Sequence, residues 1–376
     1  MHIVGNRPQF IKLAPLSREL HKQGYEDLIL HTGQHYDENM SDVFFDELKI
    51  SKPIKNLNVG SGTHAEITAG VLVGVEKAVL QYQPGLVILY GDTDSTLGAA
   101  LACRKLNIPI VHVEAGPRTF SKNNPEEINR IVTDHISDVC FCPDKSSVQN
   151  LQNEGIIKNV CFSGDIMYDT FLWTQKNMSR ENILEKYGLK EKNYILMTWH
   201  RQENTDKKSR MEKILSLLEK IQYKICLPLH PRTEKYLKKN NLWDRINKIS
   251  NLILTDPVGY NEMVALQSGC RVILTDSGGL SKESCFAGVR CFFMLNLNVW
   301  PDLEKSGRII HISFTDENDI EKAANQINSE EVHTLKPVDF YGDGNAAEKI
   351  VNYLKEKELI YQKYERKEND KSLSCN

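Results

Sequence analysis

Acidic residues follow strand ends in quick succession between Gly91 and Arg130. An apolar run opens into Gly91-Asp92-Thr93, a second into His112-Val113-Glu114-Ala115-Gly116, and Pro125-Glu126-Glu127-Ile128-Asn129-Arg130 follows. Clustered carboxylates raise one another's proton affinity and suit general acid/base work on a neutral bond. Taken singly, Asp92 reads as a turn residue or helix cap and Glu126 or Glu127 as a first-turn helix charge; taken together, Asp92, Glu114 and Glu126 read as a proton-transfer set. The second half carries two turns that pair a histidine with an arginine, Trp199-His200-Arg201-Gln202-Glu203-Asn204 and Leu229-His230-Pro231-Arg232-Thr233. His200 can exchange a proton near neutral pH and Arg201 can hold an anion. Thr275-Asp276-Ser277-Gly278-Gly279-Leu280 leads from an apolar strand into a helix, where free N–H groups favour phosphate. Glu283, expected on the first turn of that helix, could accept from a hydroxyl pair such as a ribose. The set describes a site for a diphosphate-linked molecule whose other half undergoes proton transfer.

These residues need a frame that carries strand ends to one edge. Leu86–Tyr90 and Ile108–Val113 are short apolar runs separated by a helical segment, the pattern of neighbouring strands in a buried parallel sheet. In such sheets the ligand crevice lies outside the carboxyl ends of the strands. Met1–Val4 is a strand that turns at Gly5-Asn6-Arg7-Pro8 into a helix over Gln9–Lys22. That turn lacks the GxGxxG of a dinucleotide site; Arg7 and Lys12 stand there instead, able to meet anionic oxygens at a helix N-terminus. Further strands are expected at Leu28–Thr32, Asp138–Cys142 and Val160–Ser163, with helices at about Met40–Leu48 and Thr63–Tyr82 and an irregular Pro53–Ser61. A second series begins at Tyr194–Thr198 and continues through Lys224–Leu227, Leu252–Thr255, Val272–Thr275, Cys291–Met294 and Ile309–Ile310. Strands alternating with helices throughout predict an α/β fold of two Rossmann-like, doubly wound domains facing a cleft. The expected domains are 1–172, holding the acid cluster and the sugar side, and 173–358, holding the diphosphate side. A tail over 359–376 would fray or pack back on the first domain.

Length and composition bound the reading further. The 376 residues suit about two domains at roughly 150 residues each. A formal net charge of -3 with 26% charged residues argues against a nucleic-acid partner. No stretch has the apolar length of a membrane span, and the chain enters a strand without a basic-then-apolar leader, so no membrane partner and a cytoplasmic location are expected. The nine cysteines mostly sit inside apolar patterns and read as reduced core residues; Cys140-Phe141-Cys142 has no second pair to complete a zinc site.

The ordered segments GNRPQFIK (Gly5–Lys12), TGQH (Thr32–His35), Gly91–Thr93, His112–Gly116, PEEINR (Pro125–Arg130), HRQEN (His200–Asn204), HPRT (His230–Thr233), TDSGG (Thr275–Gly279) and YGDGNAA (Tyr341–Ala347) resemble the non-hydrolysing UDP-N-acetylglucosamine 2-epimerases over nearly the whole chain. The resemblance implies the two-domain GT-B-like architecture with a site in the interdomain cleft. It also implies inversion at C2 of a UDP-linked 2-acetamido sugar without nicotinamide or any other cofactor. UDP is eliminated across C1–C2 to give an enzyme-bound 2-acetamidoglucal, and is added back after protonation from the other face. It carries catalytic roles onto Asp92, Glu114 and Glu126, and neutralisation of the departing diphosphate onto Arg7, His200 and the Ser277-Gly278-Gly279 backbone. Lys12 and Arg130 match substrate-binding residues, Glu283 a ribose contact, and Gln34 and His35 lie where substrate acts as an allosteric activator in some bacterial relatives. It further implies a homodimer and a place in surface polysaccharide synthesis.

The chain departs from the family pattern at three places. Asn6 stands where Thr or Ala is usual, Leu280-Ser281-Lys282-Glu283-Ser284 lacks the usual Gln, and Leu295-Asn296-Leu297-Asn298-Val299-Trp300-Pro301-Asp302 replaces an Arg-Asp-x-Thr-Glu-Arg/Trp-Pro-Glu loop. Loss of that arginine would remove a charge-assisted contact of roughly 1.5–3 kcal/mol. Four other readings share these features: an epimerase of a modified UDP-acetamido sugar, a hydrolysing epimerase, a GT-B glycosyltransferase, and a nucleotide-sugar-binding protein that has lost catalysis.

Overall fold

The computed structural model describes residues 1–34, 45, 47–121, 123–295, 300–329, 335 and 339–361. His35, the changed loop at 296–299 and the tail beyond 361 lie outside the described residues. The chain forms two compact units, Met1–Leu172 with Asp339–Asn376, and Trp173–Val338.

The first unit is built on a seven-stranded sheet in the order β3-β2-β1-β4-β5-β6-β7. Its strands are β1 His2–Val4, β2 Ile29–His31, β3 Lys55–Asn56, β4 Val87–Tyr90, β5 Ile110–Val113, β6 Val139–Cys142 and β7 Val160–Phe162. All are paired in parallel. The strands before each site turn are buried throughout, as expected where helices cover both faces of a parallel sheet. One such cover is the helix His64–Tyr82, which starts in a capping box between Thr63 and Glu66 and packs its buried Ile67, Val71, Val75 and Ala78 with Ala99, Ala102 and Cys103. β3 arises inside the stretch expected to be irregular; it is two exposed residues long and carries no alternation to reveal it.

The second unit has a six-stranded parallel sheet in the order β10-β9-β8-β11-β12-β13. Its strands are β8 Tyr194–Thr198, β9 Lys224–Pro228, β10 Leu252–Thr255, β11 Val272–Thr275, β12 Arg290–Phe293 and β13 Ile309–His311. Ile195, Met197, Trp199, Leu274 and Phe292 from the strands pack with Met211, Ile214, Leu215 and Leu218 of the helix Lys208–Lys220 in one core. In both sheets the strand order reverses beside the first strand of the unit, between β1 and β4 and between β8 and β11. The carboxyl ends at such a reversal are where doubly wound sheets bind ligands.

The last helix, Ala346–Glu356, departs from its expected place in a 173–358 domain. It belongs to the first unit. Its N-terminus is held by Asp169, whose carboxylate accepts from the backbone N–H of Ala346 at 3.0 Å and of Ala347 at 2.8 Å, using the unpaired donors and positive end of the helix. Burial pushes the Asp169 carboxyl up to about 6 against those two hydrogen bonds. Ala346, Ala347, Ile350, Val351 and Leu354 form its buried face, and Gln23, which caps the end of the helix Arg7–Lys22, donates to Asn352 at 3.2 Å. Burial of that apolar face outweighs proximity in sequence.

The eight described cysteines are unpaired, and burial pushes thiols such as Cys103 up to about 12. Among the described residues no helix is long and apolar enough to cross a membrane.

Candidate active site

In the first unit the turn after β1 is fixed by Gln9. Its side chain accepts from the Gly5 N–H at 2.7 Å and donates to the Tyr90 carbonyl at 2.8 Å, so the turns after β1 and β4 are tied together. Asn6 accepts from the Gln9 N–H and caps the helix, which starts at Arg7 with Pro in its first turn, two residues earlier than expected. Arg7 is thus the first helical residue, and Lys12 lies one turn and a half further in. Lys12 is only 5% exposed, and its ammonium donates to Glu114 Oε1 at 2.8 Å.

Glu114 leaves β5 with φ at +67°, a left-handed conformation that costs a non-glycine residue roughly 1–3 kcal/mol and tends to occur at functional sites. Gly91, φ +63°, makes room for the pair: a Cβ there would lie 2.9 Å from Lys12 Nζ. Asp92 follows directly and is ion-paired with Arg130. It does not cap the next helix; Thr93 does. Burial works against charge on Arg130, but Asp92, Glu114 and Glu127 outweigh it and hold the guanidinium charged.

The helix Pro125–Ile136, capped by Asn124, divides the two neighbouring glutamates by its rotation. Glu127 is turned inward. Its carboxylate accepts from the Thr119 and Phe120 N–H groups, each at 2.8 Å, and from Arg130 at 3.3 Å. Burial raises its proton affinity, and these contacts outweigh it and hold the carboxyl below its ordinary value. Glu126 faces solvent, one helical turn from Arg130, and its side chain is not linked to the other acids. Gln34 accepts from the Ser95 hydroxyl at 2.7 Å. The structure therefore gathers Lys12, Glu114, Arg130, Asp92 and Glu127 into one network.

The second unit is organised by an acid that the sequence reading passed over. Asp276, fully buried at the end of β11, accepts from the backbone N–H groups of His200 and Arg201 at 3.0 and 2.9 Å and from the Asn204 amide at 3.1 Å. It also faces His200 Nδ1 at 3.2 Å. The signal for it is its place one residue beyond a strand, close to the place of Asp92 two residues beyond β4. Burial lowers the proton affinity of His200, and His230 and Arg201 lower it further, while Asp276 opposes the shift. His230 is lowered likewise, by burial first; its ring lies 5.4 Å from that of His200. The Arg201 side chain is exposed.

Ser277 caps the helix Gly278–Phe286. A Cβ on Gly278 would meet nothing within 4 Å, and one on Gly279 only the Ser277 hydroxyl at 3.9 Å; as the first two residues of the helix, both have N–H groups without an intrahelical acceptor. Ser281, a departure from the family pattern, and Trp300 close on this turn: the Ser281 hydroxyl and the Trp300 indole N–H both donate to the Gly278 carbonyl at 2.9 Å. Lys282 lies over the Trp300 ring, 4.8 Å from its centre. Glu283 sits in the second turn, not the first. It is 5% exposed, and its carboxylate accepts from Gln267 at 2.8 Å and Tyr260 at 3.3 Å.

Two doubly wound parallel units in one chain, each with its chemistry at the reversal of strand order, define a GT-B-like two-domain α/β protein. A family model for UDP-N-acetylglucosamine 2-epimerase matches residues 18–355, and the chain belongs to that family of isomerases. A Methanococcus maripaludis protein named UDP-N-acetylglucosamine 2-epimerase homolog is 44% identical over 94% of this chain and 98% of its own. A Pseudomonas aeruginosa UDP-2,3-diacetamido-2,3-dideoxy-D-glucuronate 2-epimerase is 38% identical over 94% of this chain and 98% of its own. Among solved structures, the Methanocaldococcus jannaschii UDP-GlcNAc 2-epimerase in complex with UDP-GlcNAc and UDP is 38% identical. It superposes with a TM-score of 0.82 over 94% of this chain and 98% of that one.

Proposed function

We propose that this protein inverts C2 of a UDP-linked 2-acetamido sugar, converting UDP-N-acetylglucosamine to UDP-N-acetylmannosamine. The observation that carries the reading is membership of the epimerase family over residues 18–355, supported by the relative solved with UDP-GlcNAc and UDP. The C2 proton has no adjacent carbonyl to acidify it, so departure of the leaving group must drive its removal. In the first half-reaction a carboxylate takes the C2 proton while the C1–O bond breaks to release UDP, giving 2-acetamidoglucal. In the second, UDP oxygen re-forms the bond to C1 and C2 receives a proton on its opposite face, so the net change is isomerisation.

Asp92, Glu114 and Glu126 serve the proton transfers, with Lys12 and Arg130 orienting the first two. Arg7, His200 and the Gly278 and Gly279 N–H groups stabilise the diphosphate as it departs, with Arg201 and His230 beside them. Glu283 holds the ribose. The protein acts in the cytoplasm as a homodimer, supplying a precursor for polysaccharide, and Gln34 and His35 form part of an allosteric substrate contact.

A second reading, a UDP-diacetamido sugar as substrate, is favoured by the relative acting on such a sugar and by the changed Leu295–Asp302 loop. Incubation of the purified protein in heavy water, read by proton NMR, separates them. Deuterium at C2 of UDP-GlcNAc with a new UDP-ManNAc signal is expected. Exchange only in the diacetamido sugar would transfer the assignment to the second reading, and accumulating free UDP and sugar would indicate hydrolysis. No exchange in either, with UDP still bound, would refute epimerisation.

A further inference from the structure

His112 lies in β5, fully buried, and both its ring nitrogens face oxygen. Nε2 is 2.7 Å from the Gly91 carbonyl and Nδ1 is 2.6 Å from Asp134 Oδ1. A carbonyl oxygen only accepts, so Nε2 carries a hydrogen. Asp134 is itself fully buried. Its other oxygen accepts from Arg118 at 2.8 Å and from the Gly116 N–H at 3.2 Å. Such a set of donors is what an ionised carboxylate requires, so Nδ1 donates as well. Burial disfavours charge on Asp134, but His112 and Arg118 outweigh it and hold the carboxyl below its ordinary value. Arg118 also meets Glu154 at 2.7 Å. Arg118 thus joins Asp134 to the partly exposed Glu154, whose other neighbour is His135 at 4.0 Å. A buried charge persists only when it is paired in this way.

The network ends on the two turns that carry the proposed proton-transfer acids. Gly91 is held on one side by its N–H to the Val113 carbonyl at 3.0 Å and on the other by His112, and the next residue is Asp92. Gly116, held by Asp134, stands two residues beyond Glu114. We infer that His112 is a positioning residue: bridging Asp134 to the Gly91 carbonyl with both ring protons, it fixes the turn from which Asp92 emerges relative to that of Glu114. The inference rests on the proposed epimerase reaction. His112 touches no substrate, and the network supplies what a first shell of acids requires, a second shell that fixes their place.

The two arms of the ring can be cut separately. His112→Asn places an amide nitrogen near the position of Nδ1 and abandons Gly91; His112→Gln places one near Nε2 and retains it. His112→Asn is expected to lower kcat for C2 exchange about 100-fold, the scale of a small misplacement of reacting groups. Its KM and its Kd for UDP should stay within about twofold of the parent, since UDP contacts belong to other residues. His112→Gln should recover turnover to within about tenfold of the parent. An Asn variant close to parental turnover, or a Gln variant no better than the Asn variant, would overturn the inference. Should His112→Asn fail to fold, nitrogen NMR of the 15N-histidine-labelled parent protein decides. Both His112 ring nitrogens should carry a hydrogen, and a bare one refutes the bridge. A parent protein that exchanges no UDP-acetamido sugar would instead count against the epimerase reading.

Discussion

The two units place functional groups at the same point of the same strand order, yet they furnish it differently. In the first, charged side chains face one another in close pairs, Lys12 with Glu114 and Arg130 with Asp92, and Glu114 is held in a left-handed backbone. In the second, one buried acid, Asp276, gathers backbone N–H groups, and the adjoining Gly278-Gly279 turn opens a helix whose first N–H groups have no intrahelical acceptor. Paired charges whose proton affinities depend on one another are suited to moving protons. Fixed backbone dipoles are suited to receiving negative charge without rearrangement. Under the proposed function, one strand order carries proton chemistry in one copy and anion binding in the other, because the residue after each strand is free to vary while the strand is not.

The contrast is most severely tested by Asp92→Asn. The change keeps the shape and removes the charge, and kcat for C2 exchange should fall by about 10²–10⁴, the range of general acid/base catalysis. Calorimetry should find UDP affinity unchanged; a parallel loss of UDP binding would show that the division of labour is false. Gly278→Ala is the reciprocal test. Its Cβ meets no protein atom, so the melting temperature should hold or rise slightly. The added methyl should crowd the diphosphate and lower UDP affinity by about tenfold, the scale of one hydrogen bond to a charged group. An alanine variant that binds UDP normally would remove the glycine turn from the anion site.

The smallest effect is a slope. Burial holds His200 below the ordinary histidine value in the empty protein, and a neighbouring diphosphate would raise it again. The ligand complex then binds more protons than the free protein, so UDP affinity should increase as pH falls through the window between the bound and the free values, and level off below the latter. The gain should be a few-fold, measured by titration calorimetry at several pH values, and His200→Asn should flatten it. An affinity that falls over that window would reverse the assigned role of the histidine.

Much of this arrangement is legible in the sequence, for a physical reason. Strands buried on both faces need continuous apolar runs, so β8 and β11 fall on the residues their patterns predict, and the residues after them are marked by position. What the sequence hides is decided by contacts between distant segments. Asp276 and Asp134 look like ordinary acids until His200 and His112 are brought to them. Glu126 and Glu127 differ only in helix rotation, which a pair of adjacent identical residues cannot encode. Asp169 and Ala346 are separated by 177 positions, so nothing local announces that the last helix belongs with the first unit.

That return has a temporal side. The face of the helix Arg7–Lys22 on which the last helix packs lacks that partner while the ribosome makes all of Trp173–Val338, at about 5–20 residues per second an interval on the order of ten to thirty seconds. The second unit, continuous in the chain, can complete its core inside that interval. The first must wait in an open form, exposed to chaperones and proteases, until its closing helix emerges.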